Sequence, residues 1–217
     1  MPSVLSAVTG QSGRHLKFVS WVADAWTRIQ NLHDSWEWMR KEFSGDLTAG
    51  TPRYTAASWN ITDWSRWVQQ SDTLTMYLTA TGVADEGPLS GPMTWHDYRR
   101  YYERGTQTNQ RPVWWALSPQ EEMCFGSRPD DDYTVRGEYW KLPQTLAANG
   151  DIPECPAQYH DIIVWRALQI MAEHDEAPSA IATANYNYKE LLGDLERTQL
   201  LSHFTITAAS IGSEPLA

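Results

Sequence analysis

The chain has 217 residues, 41% of them apolar and 20% charged, which describes a globular protein long enough to bury a sizeable core without disulfides or metal. Seventeen basic against 27 acidic residues leave a net charge of −10, which excludes a phosphate-gripping nucleic-acid reader. Two cysteines, Cys124 and Cys155, are too few for a disulfide framework and fit a reducing compartment. No apolar run reaches membrane-spanning length, and Met1 to Gly13 lacks the charged start and long apolar stretch of a secretory signal. The unusual feature is aromatic: 12 Trp and 10 Tyr stand against 4 Phe. Trp and Tyr combine an apolar body with a polar tip, which suits both cores and interfaces.

Residues 12 to 33 predict a helix. On a helical wheel Leu16, Val19, Val22, Ala23, Trp26 and Ile29 fall in an arc of about 140°. Phe18, Trp21, Ala25 and Leu32 form a second apolar stripe beside it. An apolar arc this wide needs cover on two sides, one from the chain's own core and the other from a neighbouring subunit. A central helix in a monomer would satisfy the same pattern.

Trp36 to Phe43 carries no clear period, and Gly45, Gly50 and Pro52 break the chain. From Thr48 to Gln70 the pattern is loop with short extended pieces around Trp59, Trp64 and Trp67. Thr73 to Thr79 alternates Leu74, Met76 and Leu78 against polar residues, which predicts a strand with one buried face. Thr94 predicts the N-cap of a short helix through Glu103, with Asp97 three residues on. Val113 to Leu117, Met123 to Phe125 and Tyr133 to Lys141 predict three strands of an antiparallel meander. Asp130, Asp131 and Asp132 lack the spacing of a calcium loop and read as a solvated turn.

Prolines 143, 153 and 156 mark a linker. Ile162 to Ala172 then predicts a buried central helix, apolar nearly all round. Pro178 opens a last helix with Ser179 as its N-cap, and Ile181, Ala184, Tyr188, Leu191, Leu192 and Leu195 share one face. Beyond Leu201 the helical pattern stops. Residues 202–217 hold no Lys, Arg or Asp and a single carboxylate, Glu214, yet carry Phe204, Ile206, Ile211 and Leu216. Such a segment is too short to fold alone and apolar enough to dock on a partner.

The expected class is α+β: a helical bundle interrupted by an antiparallel β-rich insertion, with an extended C-terminal tail. Residues 1–45 and 151–201 form the discontinuous bundle, 46–150 the insertion and 202–217 the docking tail. The six histidines show no zinc spacing, and no HExxH, GxSxG or Gly-rich phosphate loop occurs. His96-Asp97 and His160-Asp161 are adjacent pairs that read as helix-start polar residues, and Cys124 as a buried strand thiol. No residues carry an enzyme, a cofactor site or a metal site.

Four segments resemble the head-to-tail adaptor (connector) proteins of tailed bacteriophages. They are Thr9 to Arg40 (TGQSGRHLKFVSWVADAWTRIQNLHDSWEWMR), Thr48 to Thr55 (TAGTPRYT), Arg128 to Leu146 (RPDDDYTVRGEYWKLPQTL) and Ile152 to Leu168 (IPECPAQYHDIIVWRAL). Each is weak alone, and their order and spacing make them specific. The resemblance implies a homo-oligomeric ring, usually a dodecamer, seated beneath the portal protein at the head–tail junction of the virion and assembled in the host cytoplasm. It implies contact with a tail or nozzle protein below, passage of genomic DNA without sequence-specific binding, and no catalysis, cofactor or membrane. On that basis Phe204, Ile206, Ile211 and Leu216 are expected to dock on the portal, and Phe18, Trp21, Ala25 and Leu32 to face the next subunit. Residues 151–217 hold three basic and ten acidic residues, a balance that would keep passing DNA from sticking. The competing reading is a Trp-rich β module for carbohydrate, of tail-fibre type, which a row of exposed Trp would support.

Overall fold

A computed structural model describes residues 7–70 and 73–200. The tail residues Phe204, Ile206, Ile211 and Leu216 lie outside these. Among the described residues the class is α+β, with helices beside antiparallel and mixed sheets. Helix α1 (Gly13–Gln30) stops just before Leu32. A single 3-10 turn, Glu37–Met39, then leads into strand β1 (Arg40–Leu47), so the stretch of unclear period becomes the longest edge strand.

Strands β2 (Arg53–Tyr54), β3 (Trp64–Trp67) and β4 (Thr75–Leu78) follow. The expected burial of Leu74 and Met76 is found, at 1% and 2% exposure. Two short strands, β5 (Gly87–Pro88) and β6 (Ser90–Met93), precede α2 (Trp95–Tyr98). Thr94 caps α2 by accepting from the Asp97 backbone N–H at 3.2 Å, and a π-helical turn carries the coil on through Glu103. Strands β7 (Trp114–Leu117), β8 (Met123–Gly126) and β9 (Tyr133–Lys141) complete the middle.

The meander is corrected at its third strand. β7 and β8 form an antiparallel hairpin, but β9 leaves them for a different sheet. There it pairs with β1 along its whole length, Arg40 opposite Trp140 through Leu47 opposite Tyr133, and on its other edge with β3 and β4. The cause is burial on both sides. Val135 is fully enclosed, and Tyr133, Tyr139 and Trp140 are each less than a tenth exposed, so β9 must be central, whereas a meander edge would leave it half bare. The second sheet runs β2-β8-β7-β6, with β6 parallel to β7.

The two sheets share one aromatic core. Phe43, Leu47, Trp67, Val135 and Tyr139 from the first meet Tyr54, Trp115, Met123 and Phe125 from the second. Gly45 is required where this core closes: a Cβ there would stand 2.5 Å from the Trp59 indole. The Asp130–Asp132 turn is spent locally, since Tyr133 Oη donates to Asp130 at 2.8 Å and the Ala49 N–H to Asp132 at 3.0 Å.

Helices α3 (Asp161–His174) and α4 (Pro178–Gln199) return to α1: α1 packs on α3, and α3 on α4. Their core joins Trp26, Ile29, Trp36, Ile162, Ile163, Tyr188 and Leu195. Two expectations are corrected. Ser179 lies inside α4 and does not cap it; Pro178 takes the first turn, where its missing N–H costs nothing, and Ala177 precedes it. And α3 is not covered all round, because Val164 is 53% exposed. The linker is clasped to α1: the Gln30 amide donates to the Gln144 carbonyl at 2.9 Å and accepts from its N–H at 2.7 Å. Nearby, buried Lys141 pairs with Glu154.

Candidate functional site

The uncovered side of α3 faces α1 and makes an apolar groove. Phe18, Trp21 and Val22 line one wall, and Val164, Ala167, Leu168 and Met171 the other, around a volume of about 180 Å³. The sequence places these residues for a simple reason. Positions 18, 21 and 22, and 164, 167, 168 and 171, follow the three- and four-residue steps that align side chains on one helix face. No charged side chain lines the groove. Val22 is 40% and Val164 53% exposed, an arrangement that leaves apolar surface in water. At the N-terminal end of α1, polar contacts frame it: Arg14 pairs with Asp175 at 2.7 Å, and the Lys17 ammonium is hydrogen-bonded to the His174 ring at 3.2 Å. Trp21 meets the same His174 ring at 5.3 Å between centroids.

Of the four residues expected at a subunit contact, the groove brings together Phe18 and Trp21. Ala25 is fully enclosed in the helical core, and Leu32, 47% exposed, lies past the end of α1. The wheel of α1 alone could not supply the opposite wall. Val22 fell in the stripe assigned to the core, and Val164, Leu168 and Met171 belong to a helix read as buried.

A second concavity, of about 670 Å³, lies on the first sheet and is polar. Arg40, Glu42, Ser44, Arg136, Glu138, Thr73 and Thr75 line it. Arg40 Nε donates to Glu138 at 2.8 Å, and Arg136 stands 3.8 Å from Glu86. Both of its arginines thus have carboxylate partners within the chain.

Burial is the main cause of the largest upward shifts among the titratable groups. Burial pushes the Cys124 and Cys155 thiols up to about 11, so neither is a thiolate near neutrality. Burial, then the hydrogen bond to Asp63, raises Tyr139 to about 12. The Asp63 carboxyl is pushed up by partial burial, but hydrogen bonds from Lys41 and Tyr139 outweigh this and hold it below the usual carboxylate value. His160 bonds the Cys155 carbonyl at 3.0 Å at the start of α3, and His96 lies in the first turn of α2. Among the described residues no three His, Cys, Asp or Glu side chains are grouped to hold a metal ion, and no helix is long and apolar enough to cross a membrane.

All twelve tryptophans lie among the described residues, and Trp114 alone is exposed, at 40%. Six are less than a tenth exposed: Trp21, Trp26, Trp36, Trp67, Trp115 and Trp140. They form internal stacks, such as Trp36 on Trp38 at 4.5 Å and Phe43 on Trp59 at 5.1 Å. The row of bare indoles that a carbohydrate platform needs is not present among them.

Comparison with curated proteins finds no match. The resemblance drawn from the four sequence segments is borne out at the level of a family: the model of the SU10 adaptor protein matches residues 7–208, nearly the whole chain, and the chain belongs to that family.

Proposed function

We propose that the chain is a structural protein of a bacteriophage virion, a head-to-tail adaptor that forms a ring beneath the portal. The ring, of twelve copies, joins the capsid to a tail or nozzle protein and lines the DNA conduit at the head–tail junction, after assembly in the host cytoplasm. The observation that carries this reading is the family match over residues 7–208. In this reading the protein is not an enzyme, and its work is done by surfaces.

Four features support this reading. The apolar stripe of Phe18 and Trp21, continued by Leu32 and supported from beneath by Ala25, is the proposed contact with the next subunit. Residues Phe204, Ile206, Ile211 and Leu216 are the proposed portal-docking segment. The helices α1, α3 and α4 form the bundle, and the two-sheet middle is an insertion between α1 and α3 that stiffens each protomer. The acidic balance of residues 151–217 suits a wall past which DNA slides.

The test is mass. Sedimentation with purified portal rings is expected to give a complex carrying a fixed number of copies per portal, near twelve. A chain that stays monomeric with portal and binds oligosaccharide would establish the carbohydrate module instead.

A further inference from the structure

The α1–α3 groove has room for an aromatic ring: an apolar cavity of about 150 Å³ is known to accept benzene, and this one measures about 180 Å³. The charges at one end of it are only partly used. Asp175 is paired with Arg14, and Lys17 is hydrogen-bonded to His174. Glu173, in the last turn of α3, and Glu176, just beyond it, are exposed and have no hydrogen-bond or ion-pair partner among the described residues. The C-terminal end of α3 adds its own preference for cations. The guest that fits is therefore an exposed aromatic side chain flanked by bases.

The chain carries one. The four most exposed large apolar side chains among the described residues are Ile152, Tyr186, Val83 and Tyr101, all more than half bare. Ile152 lies between Asp151 and Glu154, Val83 lies two residues before Asp85, and the Tyr186 hydroxyl donates to Glu190 at 2.6 Å. Each of these three would bring acid against acid. Tyr101, in the π-helical turn after α2, sits instead beside Arg100, whose guanidinium lies 5.5 Å from its ring. Neither Arg100 nor nearby Arg104 has a carboxylate partner among the described residues, and both are exposed. A buried tyrosine needs a partner for its hydroxyl. A ring laid along the groove against Trp21 brings that hydroxyl to the end where Lys17 and His174 stand.

We infer that Tyr101 of one copy seats in the α1–α3 groove of the next, with Arg100 and Arg104 against Glu173 and Glu176. The inference rests on the reading of the Phe18–Trp21 face as a subunit contact and names the surface that meets it. A knob and a groove at different places on one chain make a head-to-tail contact. Such contacts close a ring, whereas a self-complementary patch stops at a dimer.

Charge reversal tests the pairing on purified portal rings. Arg100→Glu with Arg104→Glu sets acid against acid at every contact, and Glu173→Lys with Glu176→Lys sets base against base. Each double variant alone is expected to load about a tenth or less of the unaltered amount onto portal. Mixed one to one, the two variants have complementary surfaces, and loading is expected to return through an alternating ring. Normal loading by either variant alone, or no return in the mixture, would overturn the inference, while loading by the unaltered chain tests the ring itself. A second measurement needs no portal. A Tyr101→Cys chain and a Val164→Cys chain of different mass are mixed at high concentration and oxidised mildly; native Cys124 and Cys155 are buried, at 0% and 3% exposure. A disulfide joining the two different chains is expected. Disulfides between like chains only, or none, would overturn the inference whether or not the unaltered chain loads portal.

Discussion

The sheet region and the helical region are built from the same material, stacked tryptophans, but they close differently. In the sheets the core rings are covered by other rings of the same chain. Phe43 lies 5.1 Å from Trp59 and 5.0 Å from Trp67, and Tyr54 stacks on Trp59 at 5.4 Å. The outer face carries arginines and carboxylates that pair with each other, such as Arg40 with Glu138. The helical region also has an aromatic centre, with Trp36 stacked on Trp38. Yet it stops one layer short: Phe18, Val22 and Val164 remain partly open to water. A region that satisfies itself acts as a scaffold, and one that leaves an apolar face is poised to bind.

The contrast is broken most severely at Trp67. It is 1% exposed, meets Phe43, Trp59, Trp64 and Tyr139, and its indole donates to the Glu121 carbonyl at 2.8 Å. Trp67→Ala is expected to cost about 3–5 kcal/mol in urea unfolding. Next is Gly45→Ala, whose added methyl collides with the Trp59 ring. A cost of about 1–3 kcal/mol is expected, read as a lowered Tm, and an unchanged Tm would show that Trp59 can swing away. On the helical side Val164→Asp and Val22→Asp sharpen the difference. Both positions are at least 40% exposed, so stability should change by only about 0.5 kcal/mol or less, while sedimentation with portal rings should show loss of the assembled complex. Normal assembly by both variants would remove the groove from the proposed interface.

The smallest effect concerns acid. The Asp63 carboxyl is held below its ordinary value in the folded chain, so its contribution is present above the unfolded value and lost as pH falls through the folded one. Asp63 is 37% exposed and bonds Lys41 at 2.6 Å and Tyr139 at 2.8 Å, so solvent screening keeps the contribution small. Urea midpoints measured below about pH 4 should fall more gently for Asp63→Asn than for the unaltered chain. The buried thiols offer a control on both regions. Cys124 in the sheets and Cys155 beside the helices are expected to react with an exposed-thiol reagent only on unfolding, and early reaction of one would name the region that opens first.

Local signals in the sequence were informative wherever one residue acts on its neighbours. Thr94 with Asp97 announced the α2 cap, Leu74 and Met76 announced the buried face of β4, and Pro178 announced the start of α4. The cap of α4 was misread because Pro at the first turn needs no side-chain acceptor before it, so Ser179 had no role to play there. The site was half legible. Phe18 and Trp21 stood out on the wheel of α1, but the facing wall lies about 140 residues further along the chain.

The amino-acid sequence by itself determined the α+β class, the order of helix, β-rich middle and two helices, the surplus of Trp and Tyr, and the family resemblance. Period, turn chemistry and spacing are properties of adjacent residues and survive without a fold. Only the tertiary structure decided that β9 leaves its hairpin neighbours to pair with β1, that all the tryptophans but Trp114 turn away from open solvent, and that Val22 and Val164 share one groove. The physical reason is the same in each case. Which of several apolar faces is covered depends on what the remote chain brings to it, and helix or strand periodicity records only that a face exists.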